Sequence, residues 1–285
     1  KESYRRQSSF IKMFALFRTH ASLSAAHRVV LALLPFLLVI GAYLLASDAR
    51  LSVNPDDKLL PSATKMVEST IRMASQPDLR TGNYLLWSDT LASLTRLLLG
   101  IFLGSSVGLM VGLSTSIFPV MRAISGPFLT FLSIVPPLTI LPILFIALGV
   151  GETSKIALIF LGTVFVISRD LQLYIAHLPG EQITKALSLG ARPSTIPSRI
   201  LLPQVMPRLL DTTRLTLGAA WLFLIAAEMI SATDGLGYRI GLVRRYLAMD
   251  VIIPYVLWIT LLGFIMDWFL RISVKSFFPW YEAQR

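Results

Sequence analysis

The chain has 285 residues, of which 54% are hydrophobic and only 15% are charged, and its formal net charge is +10. About a quarter of the residues of a typical soluble domain are charged, so this composition favours an integral membrane protein. The absence of cysteine excludes disulfides and cysteine-based metal or redox sites. Basic residues flank the long apolar runs, which indicates orientation in a bilayer rather than nucleic-acid binding.

The first 28 residues combine basic side chains with bulky apolar ones, among them Phe10, Phe14 and Phe17. This pattern predicts that residues 1–28 form an amphipathic segment, a helix lying on the cytoplasmic leaflet of the membrane. A disordered basic tail is the alternative interpretation.

Six apolar segments follow, each close to the ~20 residues that a helix needs to cross the hydrocarbon core. They lie at 29–47, 91–115, 127–149, 155–176, 205–230 and 251–272. Inside lipid, only a helix satisfies its own backbone hydrogen bonds within a single segment. The sequence therefore predicts an all-α integral membrane protein with six transmembrane helices. The first helix and its following loop make up 29–84, and the remaining helices form a core at 85–281.

Lysine and arginine predict how the protein is oriented. Residues 1–28 have an excess of basic residues, whereas the loop 48–90 has six acidic residues against five basic ones. The N-terminus is therefore predicted to be cytoplasmic and this loop external, which places the loop 177–204 and the C-terminus in the cytoplasm. The loop 231–250 is the exception, since it is predicted to be external although it is basic. Its arginines are Arg239, Arg244 and Arg245.

Four glycines recur at intervals of four in the second apolar segment. They are Gly100, Gly104, Gly108 and Gly112. They fall along one face of a helix and leave it without side chains, so a second helix can approach closely. The contact is either static packing or an interface that slides during a transport cycle.

The same run matches the G-x-S-x-G nucleophile motif at residues 104–108. That motif requires a strand-to-helix elbow and a histidine partner, and this run lies within a predicted helix. The chain also has no G-x-x-x-x-G-K-[ST] loop to bind nucleotide phosphates. We therefore predict a protein that is not an enzyme and binds no cofactor or metal of its own.

Prolines interrupt the third apolar segment at Pro136, Pro137 and Pro142. Proline removes helical hydrogen bonds and kinks the helix, and irregular backbone at membrane depth is tolerated where protein or a water-filled cavity satisfies it. The prolines predict either a kinked helix that lines a pathway or a kink that improves packing.

Two ionisable residues lie at matching depths, Arg96 in the second segment and Glu228 in the fifth. Charged residues inside spans are costly and usually face the protein interior. An ion pair between them would either line an outer gate or be purely structural. Asp211, Arg214 and Asp267 are interpreted as interfacial residues or as packed pairs.

The polar loop between the fourth and fifth segments resembles the signature loop of the permease subunits of bacterial ATP-binding-cassette (ABC) importers. That signature is E-A-A, three residues, G, nine residues and then hydrophobic-x-L-P. The matching stretch contains Thr184-Lys185-Ala186, then Gly190 and Ala191, then Ile200-Leu201-Leu202-Pro203. Thr184 and Lys185 depart from the signature, whereas Ala186, Gly190, Leu202 and Pro203 match it.

The resemblance extends over roughly residues 85–281 and is to the nitrate/sulfonate/taurine/bicarbonate branch, with taurine-type permeases the most similar. The further matching stretches are Ser93-Leu94-Thr95-Arg96, Val135-Pro136-Pro137-Leu138, Gly149-Val150-Gly151-Glu152, Ala227-Glu228-Met229, Gly235-Leu236-Gly237-Tyr238 and Pro279-Trp280.

This resemblance implies the type I ABC importer permease fold in a bacterial inner membrane. It implies two permease copies, a homodimer, two separate ABC ATPases that use ATP and magnesium, and a periplasmic solute-binding protein. The solute would be small and anionic or zwitterionic, such as taurine or another sulfonate, nitrate or bicarbonate. The loop would act as a coupling helix on an ATPase, with Gly190 allowing a sharp turn or a close approach and Pro203 and Pro207 stopping and restarting the helix.

An ATP-independent secondary transporter or channel is the alternative function. The apolar segments lack a series of acidic residues for proton or sodium coupling, and the sequence shows no convincing inverted repeat. The sequence therefore favours the importer permease.

Overall fold

The structure is a computed structural model that describes residues 24–55, 57–79 and 81–282. Most of the amphipathic segment predicted at 1–28 lies outside the described residues. The chain divides into two compact units, residues 1–63 and 64–285.

Helix α1, Ala25–Leu51, dominates the first unit, and its N-cap Ser24 accepts a hydrogen bond from the backbone N–H of His27. The chain then turns back along the helix. The Tyr43 hydroxyl donates to the carbonyl oxygen of Pro61 at 2.7 Å, and the Ser47 hydroxyl donates to the same carbonyl at 3.2 Å. These side chains thus satisfy backbone oxygens of the returning segment.

The remaining helices follow in chain order, joined by short connections. They are α2 Ala63–Ser75, α3 Leu85–Ile117, α4 Pro119–Ile134, α5 Pro137–Leu148, α6 Glu152–Ala176, α7 Gly180–Ser188, α8 Leu202–Ser231, α9 Leu236–Arg244, α10 Met249–Phe277 and α11 Pro279–Glu282. A 3₁₀ turn, Pro193–Thr195, and a π turn, Pro197–Leu201, connect α7 to α8.

Among the residues that the structure describes, five continuous helical stretches are long and apolar enough to cross a membrane, and the bent pair α4 and α5 counts as a sixth when the two helices are taken as one broken span. The five are α1, α3, α6, the stretch Pro197–Ser231 that includes α8, and α10. The prediction of an all-α membrane protein with six transmembrane segments is confirmed.

The third span differs from the predicted kinked helix, because α4 and α5 are separate helices that meet at 97°. Val135 and Pro136 are both extended, with ψ angles of 122° and 119°. A residue that precedes proline is driven out of the helical region, and two consecutive prolines impose this on both residues. Pro137 then occupies the first turn of α5, where proline fits well. Pro142 lies inside α5 and does not end it.

Helices α3, α6 and α8 form the centre of the second unit, and two apolar clusters hold them together. One cluster, which includes Leu97, Leu158 and Leu224, lies toward α9. The other, which includes Ile167, Leu171 and Val205, lies toward α7. We call these two regions the α9 end and the α7 end of the bundle.

Candidate functional site

At the α7 end, the signature stretch forms a short helix with a sharply defined C-terminus. The backbone N–H of Ala191 donates to the carbonyl of Ala186 at 3.0 Å, and that of Gly190 donates to the carbonyl of Leu187 at 2.9 Å. Gly190 has a φ of +85°, a conformation that favours glycine. These two bonds constitute a Schellman motif, in which residues Ala186 and Gly190 are the third-last helical residue and the left-handed residue. The four-residue spacing in the sequence is therefore the spacing of a helix terminus.

Helix α7 is attached to the bundle along one side and open on the other. None of its residues is buried, and Leu187 and the adjacent Leu189 are 43% and 89% exposed. On the attached side, Ile183 packs against the apolar cluster of the α7 end. The Gln204 amide also donates to the side-chain oxygen of Gln182 at 3.0 Å. Leu187 and Leu189 therefore give the open side of this connection an exposed apolar surface. Thr184 and Lys185 lie on the exposed part of α7.

The connection from α7 to α8 differs from the prediction that Pro203 and Pro207 stop and restart a helix. The helical stretch begins earlier, at Pro197, and α8 continues through Pro207. Pro203 lies at the N-terminal end of α8, directly after the π turn Pro197–Leu201. Leu202 and Pro203 therefore belong to the start of a long helix, and the buried Ile196 precedes it as an anchor.

The four glycines of α3 lie against α6 along most of its length. A Cβ atom built on Gly104 would lie 2.1 Å from Thr163 Oγ1, and one on Gly108 would lie 2.8 Å from Ile167 Cγ2. Cβ atoms built on Gly100 and Gly112 would likewise lie 2.6 Å from Ile159 Cβ and 2.9 Å from Leu171 Cβ. The contacted residues of α6 also recur every four positions, so the two helices match in register. This arrangement is close packing, and a sliding role remains a prediction.

At the α9 end, Arg96 and Glu228 form an ion pair. The guanidinium Nη1 donates to Glu228 Oε1 at 2.7 Å, and the two side chains are 4% and 0% exposed. Arg96 also contacts the carboxylates of Glu152 and Asp234, and its Nη1 donates to the backbone carbonyl of Asp234 at 3.0 Å. One arginine of α3 therefore binds the first residue of α6, the end of α8 and the loop before α9.

Glu228 is fully hydrogen-bonded although it is buried. The Ser93 hydroxyl lies 2.8 and 2.9 Å from its two oxygens, and the backbone N–H of Gly237 donates to Oε2 at 2.8 Å. A Cβ atom on Gly235, where φ is +111°, would lie 2.5 Å from Glu228 Oε1. The loop between α8 and α9 is therefore folded onto the carboxylate, and only glycine fits at position 235.

A second buried carboxylate, Asp89, holds α9 in place. It accepts hydrogen bonds from the backbone N–H of Gly235 at 3.1 Å, from Arg239 Nε at 2.8 Å and from the Tyr255 hydroxyl at 3.1 Å. Burial opposes the charge on Arg239, but the hydrogen bonds and negative charge of Asp89 outweigh it and raise the pKa of Arg239 above its ordinary value. Arg239 is therefore paired with Asp89, whereas the side chains of Arg244 and Arg245 are exposed to solvent.

Two arginines of α8 are also paired with carboxylates. Arg214 of α8 contacts Asp267 of α10 at 2.8 Å and Asp211 at 3.2 Å. Of the two interpretations of these residues, interfacial positions or packed pairs, the contacts agree with packed pairs. Arg208 of α8 binds Asp170 of α6 at 2.8 Å through Nε.

The structure thus places the candidate residues in two groups, one at each end of the bundle. The α7 end holds Thr184, Lys185, Ala186, Gly190 and Ala191, and the α9 end holds Arg96 and Glu228. Pro136 and Pro137 lie at the break between α4 and α5. The sequence analysis assigned no role to Asp89 or Asp234, and it named Ser93, Glu152 and Gly237 only within the stretches that resemble the importer permeases. Ser93 lies one helical turn before Arg96, and this spacing was a further signal for it.

The fold is that of the membrane subunit of a type I ABC importer. The chain is similar to the solved structure "Inward facing conformations of the MetNI methionine ABC transporter: CY5 SeMet soak crystal form", with a TM-score of 0.60 and 20% identity over 71% of this chain and 98% of that one. The CY5 native crystal form gives a TM-score of 0.56 and 18% identity over 68% of this chain and 96% of that one.

Residues 99–278 match the family described as binding-protein-dependent transport system inner membrane component, and the chain belongs to this family. It is 32% identical over 222 residues to the taurine transport system permease protein TauC of Escherichia coli K12, covering 78% of this chain and 80% of the relative. It is 29% identical to the putative aliphatic sulfonates transport permease protein SsuC of Bacillus subtilis 168, covering 66% and 68%. It is 30% identical to the bicarbonate transport system permease protein CmpB of Synechocystis PCC 6803, covering 64% and 65%. The resemblance to the nitrate/sulfonate/taurine/bicarbonate branch is confirmed, and the chain is a multi-pass ABC permease subunit.

Proposed function

We propose that this chain forms the membrane pathway of an ATP-driven importer for a small anionic or zwitterionic solute, of the sulfonate, taurine, nitrate or bicarbonate type. The named relatives transport taurine, aliphatic sulfonates and bicarbonate, which share a compact oxyanion group. Two copies pair around the pathway, two separate ATPase subunits bind ATP and magnesium, and a periplasmic binding protein delivers the solute. The chain lies in the inner membrane with both termini in the cytoplasm.

The observation that carries the proposal is the exposed helix α7, which we assign as the coupling helix that docks into an ATPase subunit. The exposed side chains Leu187 and Leu189 offer apolar contact area, and Lys185 lies on the same exposed helix. The Schellman motif at Gly190 makes the end of the helix rigid. A rigid helix transmits displacement to the spans better than a flexible loop does.

The transmission path from α7 runs through buried apolar contacts. Ile183 of α7, Ile196 of the connection and Leu201 of the π turn all belong to the cluster that contains Ile167 and Leu171 of α6. A displacement of α7 would therefore move α6 and the start of α8 together. Closely packed side chains transmit such shifts because they cannot be compressed.

We assign Pro136, Pro137, Arg96 and Glu228 to the pathway and its outer gate. The 97° break between α4 and α5 exposes irregular backbone at membrane depth, which is tolerated where it lines a protein-enclosed or water-filled cavity. The Arg96 cluster ties α3, α6 and the α8–α9 loop together at the opposite end from α7. Rigid attachment of this end favours motion of the helices as a group.

The coupling assignment is tested by Gly190→Val in the full transporter with its ATPase subunits. A side chain at φ +85° is strained, so we expect the end of α7 to refold and the ATPase to lose substrate-stimulated hydrolysis by about tenfold or more. The measurement is ATP hydrolysis by the complex in proteoliposomes, with and without the loaded binding protein.

Gly82→Val is the matched control. Gly82 also has a positive φ, +70°, and a Cβ atom there meets nothing within 4 Å, as at Gly190. Gly82 lies in the connection before α3, far along the chain from α7, so this variant should retain coupling. Equal stimulation in the two variants would remove α7 from the coupling role. Solute uptake by the purified chain alone, driven by an ion gradient without ATP, would support the secondary transporter instead.

A further inference from the structure

A cleft between α4 and α6 carries positive charge that the proposed transport mechanism does not use. Its volume is about 270 Å³, and Arg122, Gly126, Thr130, Arg169 and Gln172 line it. No acidic residue is among its lining residues. The cleft lies at the C-terminal half of α6, and therefore toward the α7 end of the bundle.

The two arginines of the cleft are not neutralised by carboxylates in the part of the chain that the structure describes. Arg122 donates to the backbone carbonyl of Ser116 at 2.9 Å. Arg169 makes no side-chain hydrogen bond or ion pair among the described residues. Its neighbour Asp170 faces Arg208 and Thr212 instead. By contrast, the intramembrane Arg96, Arg208 and Arg214 are each bound to carboxylates.

The position of Arg169 within α6, where its side chain is half-buried, makes this charge informative. It lies seven residues before the end of α6 at Ala176, or about 10 Å inside the helix at about 1.5 Å per residue. An ionisable residue at such a position is costly and usually marks a functional site. An anion bound in the cleft would offset the free-energy cost of holding the positive charge of Arg169 there.

The remaining polar lining groups suit an oxyanion, and Leu173 and Ala176 complete the lining. Gln172 follows Arg169 by one helical turn, and a Cβ atom on Gly126 would lie 3.8 Å from the Gln172 amide nitrogen. Glycine at 126 therefore leaves room beside the amide. Two guanidinium groups, one amide and the Thr130 hydroxyl all donate hydrogen bonds, and guanidinium binds planar pairs of oxygens in a bidentate manner.

We propose that this cleft binds the oxyanion group of a small molecule, a sulfonate or a phosphate. Two sources share this chemistry, a soluble oxyanion and the headgroup of an anionic phospholipid. The site does not depend on the coupling role of α7, and it would exist whether or not the chain works with an ATPase.

The first experiment uses the purified full chain in phosphatidylcholine nanodiscs, titrated with sodium sulfate and, separately, with taurine. Binding is measured as a saturable rise in thermal stability above that produced by sodium chloride of equal ionic strength. In a second arm, native mass spectrometry compares retention of phosphatidylglycerol and phosphatidylcholine. Preference for sulfate or taurine alone identifies a soluble anion, and preference for phosphatidylglycerol alone identifies the lipid.

Arg122→Gln and Arg169→Gln should each lower the affinity for the preferred probe by about tenfold, because each substitution removes a charge-assisted hydrogen bond to the oxyanion. Arg72→Gln, on the exposed surface of α2, is the charge-matched control and should leave affinity unchanged. If Arg169→Gln does not fold, the exposed Arg122→Gln and the uncharged change Gln172→Ala carry the test. The proposal fails if neither probe binds the wild-type chain above the chloride control, or if binding survives Arg122→Gln and Gln172→Ala unchanged.

Discussion

Arg96 illustrates how a charge is accommodated inside a helical bundle. Its guanidinium contacts the carboxylates of Glu152, Glu228 and Asp234, and is almost completely buried. Removing such groups from water costs several kcal/mol per ion, and only dense hydrogen bonding offsets that cost. The net stabilisation of the cluster is therefore modest, but the loss of one member leaves a buried charge unpaired. The cluster also holds the α8–α9 loop in place, through the backbone of Asp234 and Gly237.

A double-mutant cycle tests this pair at the residue scale. Arg96→Gln leaves the fully buried Glu228 without its nearest cation, and breaking a buried pair costs about 3–5 kcal/mol. Glu228→Gln should also destabilise the chain, and the double variant should be less destabilised than the sum by about 0.5–3 kcal/mol. Unfolding of the purified chain in detergent provides the measurement.

Arg271→Gln is the control for this cycle. Arg271 forms an exposed pair with Asp267 one turn away on α10, and such pairs contribute about 0–1 kcal/mol. Its effect should be small and should add to that of Glu228→Gln. Strict additivity of Arg96→Gln and Glu228→Gln would show that the two side chains are energetically independent.

At the scale of elements, the α3–α6 contact is a close helix–helix approach defined by four glycines. Helix α3 repeats glycine every four residues and the residues of α6 that face these glycines recur at the same interval, so the backbones approach where α3 has no side chains. In lipid this packing replaces the hydrophobic driving force that associates helices in water. The interface therefore tolerates little added volume.

Gly104→Ala is expected to destabilise the bundle. The added methyl group would lie 2.1 Å from Thr163 Oγ1, which forces Thr163 to change rotamer or the helices to separate. Overpacking of this kind costs about 1–3 kcal/mol. The melting temperature of the purified chain is the measurement.

Gly218→Ala on α8 provides the matched control, because a Cβ atom there meets nothing within 4 Å. It should be neutral or slightly stabilising, since alanine favours the helix over glycine. Equal melting temperatures for Gly104→Ala and Gly218→Ala would indicate that α3 and α6 are not tightly packed in the membrane.

At the scale of the whole molecule, the order of spans separates α7 from α9. Helix α7 follows α6, and α9 follows α8, so one membrane crossing lies between them. Whichever side of the membrane α7 occupies, α9 lies on the other. The basic N-terminal segment predicts that α7 is cytoplasmic.

The absence of cysteine makes this topology directly testable. Single cysteines are introduced by Leu79→Cys, at a fully exposed residue between α2 and α3, and by His177→Cys, at an exposed residue before α7. In spheroplasts, a membrane-impermeant maleimide should label Leu79→Cys at least about tenfold more than His177→Cys.

After permeabilisation the two variants should react to a similar extent, which controls for intrinsic accessibility. The parent chain, which has no thiol, gives the background. The reverse labelling order would invert the proposed orientation and would exclude α7 as a cytoplasmic docking site.

Local regularities in the sequence determined much of this protein. Apolar runs of about twenty residues predict spans because lipid satisfies no backbone hydrogen bonds, and the glycine repeat predicts a close helix contact because helix geometry is periodic. The spacing of Ala186 and Gly190 likewise reflects one helix terminus. Each of these features depends on residues close together in the chain.

Only the tertiary structure decided which distant groups meet. Arg96 and Asp234 are 138 positions apart, and Asp89 and Tyr255 are 166 apart, so no local period relates them. The 97° angle between α4 and α5 and the shared cleft of Arg122 and Arg169 also depend on packing between separate helices. Periodicity determines the face on which a residue lies, whereas the neighbour of that face is set by how the helices assemble.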